Sequence, residues 1–476
     1  MWRKSLSFEA FSRRPWLVSL RSSQSFIITT VSLSMFTDLF LYTMIVPIMP
    51  SALVLRAGVS FENREFWNSS LLISEAVTAL ICSPIFGYVL DVSGTRQGPY
   101  LAGLVLLFGS MIIFTVSRSV LWYMVARVLQ GGATAMVTVA GFAIVTDAVD
   151  KRHLGQMLGY IGTAMTLGFV SGPVLGGVVY SIGGFYAAFG MAFAILTLDL
   201  VLRLAVIEKK VAGRLVSSLD NGAVSPNRDH DQNCQSYGSA PSTPRGPKSS
   251  RLVGSLALFK LLRQPRVLIA LWAVIVSAIV ASAFDATLTI FVETLFHWDV
   301  LGAGLIFIPG ASAAILQPFF GYLTDRLGSR IIAFLSFAIL SPTLVLLRLV
   351  EENTFQHKAI LCVILATVGM CIDLGEPAFM VELQKVLDDM EAENPNVFGG
   401  QGAVGQAFGL QSMAHFGGFA LGPIIGGFVS FHYGWDVMTF SLGLLSLVTA
   451  VPMMWLSGPI KDDHSSETER DPLMDY

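Results

Sequence analysis

Twelve apolar runs, each long enough to cross a bilayer as one helix, recur along this 476-residue chain. They fall at approximately 26–50, 66–90, 100–118, 120–146, 154–182 and 185–207, then 267–292, 300–324, 330–350, 358–384, 403–430 and 435–458. About 20 apolar residues suffice for a helix to cross the hydrocarbon core. Unpaired backbone amides are too costly there for anything but helices or closed barrels. An all-α polytopic membrane protein is therefore expected. Charged residues make up 13% of the chain, about half the share of an ordinary soluble domain.

The runs divide the chain into an N-terminal tail (1–25), a six-helix bundle (26–207), a linker (208–266), a second six-helix bundle (267–458) and a C-terminal tail (459–476). From Glu208 to about Ala257 the linker is rich in Ser, Pro, Gly and Asn, so it is expected to be mobile with little core. Of the 30 Lys and Arg residues, 23 fall in segments that share a side with the N-terminus. The positive-inside bias then places both termini and the linker in the cytosol.

A net charge of −3 and the lack of a basic, aromatic-interleaved patch argue against nucleic acid as a partner. The four cysteines show no paired spacing, so neither disulfides nor a metal site is expected. No Ser–His–acid motif or His-box cluster supplies a nucleophile, and an enzyme is not expected. The partners expected are the lipid bilayer, a small-molecule substrate and protons, with a monomer as the unit and no cofactor beyond a proton gradient.

A few charges interrupt the apolar runs. Asp38 lies at the centre of the first, where inserting a charged residue costs roughly 2.5–3.5 kcal/mol, so it is expected to face a cavity. A carboxyl group in a cavity of low polarity can exchange a proton near neutral pH and can pair with a cationic cargo. Glu75 lies near the middle of the second run. Asp285 sits toward the outer third of the seventh, where snorkelling to the interface is the alternative. In the tenth, Asp373 and Glu376 share a helix face at i, i+3, and Pro377 is expected to interrupt the helix beside them. Arg127 in the fourth run either takes part in coupling or anchors polar groups. Asp199 and Arg203, four residues apart, read as a structural pair. Phe40, Tyr42, Phe284 and Phe291 are candidates to line the cavity.

Two signatures recur across the linker. Gly87-Tyr-Val-Leu-Asp91-Val-Ser-Gly94-Thr-Arg96 is matched by Gly321-Tyr-Leu-Thr-Asp325-Arg326-Leu-Gly328-Ser-Arg330, with Val92 where the second copy has Arg326. Gly172-Pro173-Val-Leu-Gly176-Gly177 is matched by Gly422-Pro423-Ile-Ile-Gly426-Gly427. The offsets are 234 and 250 residues, and the 16-residue difference is the size of a polar insertion around Asp388–Gly402. A duplicated six-span unit explains both. Gly168, Gly172 and Gly176 form a stripe at i, i+4, i+8 that admits a close backbone approach, as do Gly418, Gly422 and Gly426. The Asp and Arg of the loop signature are suited to cap and pair at helix ends.

These motifs resemble those of the major facilitator superfamily, nearly end to end. Asp38-Leu-Phe-Leu-Tyr-Thr-Met-Ile-Val-Pro47, Arg127-Val-Leu-Gln130-Gly131-Gly132 and the glycine–proline motif of the fifth run narrow the resemblance to twelve-span drug:proton antiporters, especially vesicular monoamine transporters and fungal efflux relatives. The resemblance implies two halves that rock about a central site, and proton-driven efflux of a drug or secondary metabolite. It assigns Arg127 to the proton-coupling network and matches Asp285 and Asp373 to acidic family positions. Glu75 stands where the amine transporters have a lysine: either that ion-pair network is missing, or Glu75 is a second proton or cation site. Ser412 stands where they have an aspartate, and His415, one turn on, is a titratable substitute or a satisfied core histidine. The alternatives are a proton-coupled importer of a nutrient or organic acid, and a transporter-like sensor. The plasma membrane is the expected location. The string Glu469-Arg-Asp-Pro-Leu473-Met474, similar to an acidic dileucine signal, makes a vacuolar or endosomal membrane the alternative.

Overall fold

The computed structural model describes residues 23–93, 96–205, 251–298, 302, 305–395, 397–398 and 402–458. Among these residues every regular element is a helix. Gly94, most of the linker, most of the N-terminal tail and the Glu469–Met474 string lie outside them.

Among the described residues, ten helices are long and apolar enough to cross a bilayer. They are span one (Gln24–Leu55), two (Arg64–Val92), three (Gln97–Val116), four (Val120–Ala148), seven (Pro265–Phe296), nine (Ser329–Leu346), ten (Phe355–Glu393), eleven (Val404–Tyr433), twelve (Trp435–Met453), and the 52-residue Leu154–Ala205. This last helix holds two spans, five (154–183) and six (185–205), which meet at Gly184. There φ is 73° and ψ is −170°, a conformation open in practice to glycine alone. Span eight is built in pieces: Phe307–Ser312, a 3₁₀ turn at Ala313–Leu316, and Gln317–Leu327. Counted this way, the chain has the twelve spans its hydropathy predicts.

Two expectations are corrected. Pro377 does not break span ten, which runs on as one helix to Glu393. The proline only withholds the N–H that would pair with the Asp373 carbonyl one turn earlier. The end of the linker is not featureless: Arg251–Leu262 is a helix that buries Ala257 and Leu261 against the second half. Its Lys260 donates to the Val397 carbonyl at 2.8 Å. The polar insertion, for its part, begins as a continuation of span ten.

The two halves are put together alike. Span one lies along span five, and span seven along span eleven. A Cβ at Gly168, Gly172 or Gly176 would strike span one between Phe36 and Met44. One at Gly418, Gly422 or Gly426 would strike span seven between Ile275 and Ala283. Removing the side chain lets the backbones touch, and in lipid that packing is a main source of helix association. Gly177 and Gly427 are different, since a Cβ there would meet nothing. Pro173 is half-buried, and Pro423 is exposed on the outer face. Across the halves, span two packs on span eleven and span five on span eight.

Candidate functional site

At one end of the molecule each loop signature grips the opposite half. Asp91 accepts hydrogen bonds from the backbone N–H groups of Gly405 and Gln406 at 2.8 and 2.9 Å. Asp325 accepts from Gly155 and Gln156 at the same two distances. In both cases a carboxylate satisfies the free amides at a helix N-terminus, where the macrodipole also favours negative charge. Gly87 crosses Gly405, and Gly321 crosses Gly155, so closely that a Cβ on any of the four would strike the other chain segment. Val92 in place of a basic residue does not alter the first clamp.

The arginines differ more between the copies. Arg96 pairs with Asp147 at 2.7 Å and reaches Asp91 at 3.5 Å. Arg330 instead donates to the Leu456 carbonyl at 2.7 Å, Arg326 lies over the Tyr322 ring, and Gly328 makes the turn at φ 85°. An exposed pair, Lys151–Asp388 at 2.8 Å, adds a further tie between the halves.

Between the halves lies a cavity of about 300 Å³. Its wall brings together Asp38 and Tyr42 of span one, Glu75 of span two, Asp285 of span seven, Asp373 and Glu376 of span ten, and His415 of span eleven. Six of the seven candidates for coupling thus share one chamber. Asp285 points into it and does not snorkel to the surface. The rest of the wall is largely apolar and aromatic, including Phe142, Phe169, Phe379, Phe416 and Phe419.

Each charge has its own setting. Asp38, 2% exposed, accepts from the Thr134 hydroxyl of span four at 3.0 Å. Arg127, the seventh candidate, does not line the cavity. It is buried behind Glu75, bonded to it at 3.0 Å and to Gln130 at 3.1 Å. Glu75 is thus ion-paired, with a cation supplied by span four. On the far wall, Gln317 of span eight donates to Asp373 at 2.7 Å and to Glu376 at 3.3 Å. The His415 ring stacks on Phe419 at a centroid distance of 5.8 Å.

Of the aromatic candidates, Tyr42 faces the cavity and three do not. Phe40 stacks on Phe36 in the core, and Phe284 and Phe291 pack on Trp435. Asp199 and Arg203 do pair, at 3.8 Å, with Ser34 donating to Asp199 and the guanidinium over the Tyr100 ring.

Sequence reasoning missed Thr134, Gln317 and Glu382. Glu382 is fully buried at the clamped end. It accepts from Arg266 of span seven, Ser329 of span nine, and both the backbone N–H and the hydroxyl of Ser457 after span twelve. A polar residue in an apolar run was the available signal for all three, since such groups are buried only with partners.

Comparison with known proteins agrees with this architecture. The sequence profile of the Major Facilitator Superfamily matches residues 31–392. The chain belongs to that superfamily of membrane transporters. It is 32% identical to the MFS-type transporter ppzB of Metarhizium rileyi over 92% of this chain and 95% of that one. It is 24% identical to the human chromaffin granule amine transporter over 84% and 67% of the two chains, and 25% identical to multidrug resistance protein 1 of Bacillus subtilis over 78% and 83%. The solved structure of the human organic anion transporter MFSD10 superposes with a TM-score of 0.64 at 18% identity, covering 90% of this chain and 99% of that one.

Proposed function

We propose that the protein is a proton-coupled secondary transporter that exports small amphipathic molecules by alternating access, with organic cations as the favoured cargo. The observation that carries this reading is the composition of the cavity wall: five carboxyl groups, a histidine and aromatic rings, and no Lys or Arg among the described residues. An apolar pocket with few polar groups suits an amphipathic molecule, and aromatic faces and carboxylates both attract a cation. Coupling follows when proton and cargo compete for the same carboxylates. Asp38 and the Asp373–Glu376 pair take that role, on opposite walls. Asp285 and His415 are secondary stations, and the Glu75–Arg127 pair holds its charges in balance.

The two Asp clamps form the gate that must release for the cavity to open at their end. That end is the cytosolic one, with both termini on the same side, in the plasma membrane. Similarity to an amine transporter and to a multidrug resistance protein supports the cargo class. An organic-anion importer is the less favoured reading, because Arg127 is engaged by Glu75 behind the wall.

The test is the purified chain in liposomes loaded with a pH-sensitive dye, under an imposed pH gradient. Ethidium and tetraphenylphosphonium are supplied as cationic probes and benzoate as an anionic one. Proton movement opposite to that of the cations, absent in Asp38→Asn, is the expected result. Proton movement in the same direction as benzoate, or cation transport indifferent to the gradient, would overturn the reading.

A further inference from the structure

Gln317 touches both the acid pair and the contact between the halves. Its amide nitrogen donates to Asp373 and to Glu376, so two carboxylates share one NH₂ group. It is 1% exposed and sits at the start of the helix that resumes span eight after the 3₁₀ turn. Its backbone carbonyl meets Gly159 of span five, and its side-chain oxygen fills the space where a Cβ on Gly162 would stand. The Thr163 hydroxyl donates to the Ala314 carbonyl inside that turn at 2.6 Å, pinning span five to the same place.

The internal repeat shows that this arrangement is peculiar to one copy. Gly409 of span eleven meets the Ser83 carbonyl of span two just as Gly159 meets that of Gln317. Ser83 is therefore the first-half counterpart, and the backbone crossing is duplicated. The Ser83 hydroxyl only bonds back to the Ala79 carbonyl of its own helix. The crossing is common to both halves, and only the second carries a side chain that reaches from it to an acid.

We infer that Gln317 is the positioning residue through which the state of the Asp373–Glu376 pair reaches the packing of span five on span eight. This rests on the reading that the pair takes up a coupling proton or a cationic cargo. When either arrives, one carboxylate stops competing for the amide, and the best geometry for the remaining bond changes. Gln317 has no free room to follow, because Gly159 and Gly162 close over it. The adjustment is passed to span five, whose N-terminal amides are those held by Asp325. Interiors packed this tightly respond by shifting between discrete arrangements. The other titratable groups facing the pair are Asp38, Tyr42, Glu75, Asp285 and His415 across the cavity; span five adds no charged group to the wall.

The experiment is hydrogen–deuterium exchange of the full chain in nanodiscs, following the Gly155–Gln156 amides at about pH 8 and about pH 5.5 after correction for intrinsic exchange. Asp325 titrates as well, so its own share is read in Asp373→Asn/Glu376→Gln. Acidification is expected to lower protection in the parent by about fivefold beyond that share. Gln317→Met, which keeps the bulk and loses the donor, should fall to the response of the double variant. Where Gln317→Met does not fold, Gly162→Ala crowds the amide without touching the acids and should blunt the response equally. A full parental response in Gln317→Met, or in Gly162→Ala used in its place, overturns the inference alone. A full parental response in the double variant, or no excess response in the parent, removes the underlying reading as well.

Discussion

The two halves share their mechanics and differ in their chemistry. Both clamps hold a pair of helix-end amides at 2.8 and 2.9 Å, and both glycine stripes press on the matching partner helix. The acids do not follow the symmetry. The contacts of Gly172 and Gly422 make Thr43 and Ser282 equivalent, which puts Ser277 opposite Asp38. In the first half, Glu75 has an arginine and Asp38 a hydroxyl donor. In the second, Asp373 and Glu376 share one neutral amide, and Asp285 has no ion pair among the described residues. The glycine crossings and the clamps are repeated in the two halves; the charges in the cavity are not.

The sharpest test of that contrast is Arg127. Arg127→Leu strands Glu75 as a buried unpaired acid, a change that costs about 3–5 kcal/mol. A thermal-unfolding assay in detergent should show a large loss, mostly recovered in Glu75→Leu/Arg127→Leu. A double variant as unstable as the single one would mean the pair is not a closed unit.

The clamps should behave as equals. Asp91→Asn and Asp325→Asn each weaken the two bonds from the facing backbone amides, worth about 1.5–3 kcal/mol per charged hydrogen bond at most. Exchange at Gly405–Gln406 and at Gly155–Gln156 should accelerate to similar extents. A tenfold disparity would mean that the two clamps are not equivalent.

Next come the stripes. Gly172→Ala and Gly422→Ala force a methyl into the facing helix and should destabilise by roughly 1–3 kcal/mol. The controls Gly177→Ala and Gly427→Ala, with nothing near the new methyl, should stay within about 0.5 kcal/mol. Equal melting temperatures for all four would remove close packing as the reason for the motif. The smallest effect is expected at Lys151→Ala: an exposed pair contributes about 0–1 kcal/mol, and added salt should mask even that. A change above this range in the same thermal assay would make Lys151–Asp388 part of the gate.

The twelve spans, the repeat and the gathering of acids were legible because the bilayer leaves a polar residue few places to go. What escaped was pairing across long separations. Asp91 meets Gly405 at a distance of 314 residues along the chain, and nothing local names that partner. Glu75 and Arg127 were each visible as anomalies, yet their contact depends on how spans two and four face each other. The aromatics misled for the same reason: Phe40, Phe284 and Phe291 lie in cavity-bearing helices but on faces turned toward the core. Pro377 misled because a long helix tolerates one lost amide when its neighbours pack around it. Gln317 carries only a neutral amide, a weaker anomaly in an apolar run than a charge is.

In the mechanism we propose, one cavity built jointly by both halves lets proton and cargo compete for its carboxyl groups. The most direct measurement is ethidium-evoked proton flux in dye-loaded proteoliposomes, comparing the parent with Asp38→Asn and with Asp373→Asn. Either substitution alone is expected to abolish the flux while ethidium still binds. Undiminished flux in both variants would contradict that mechanism.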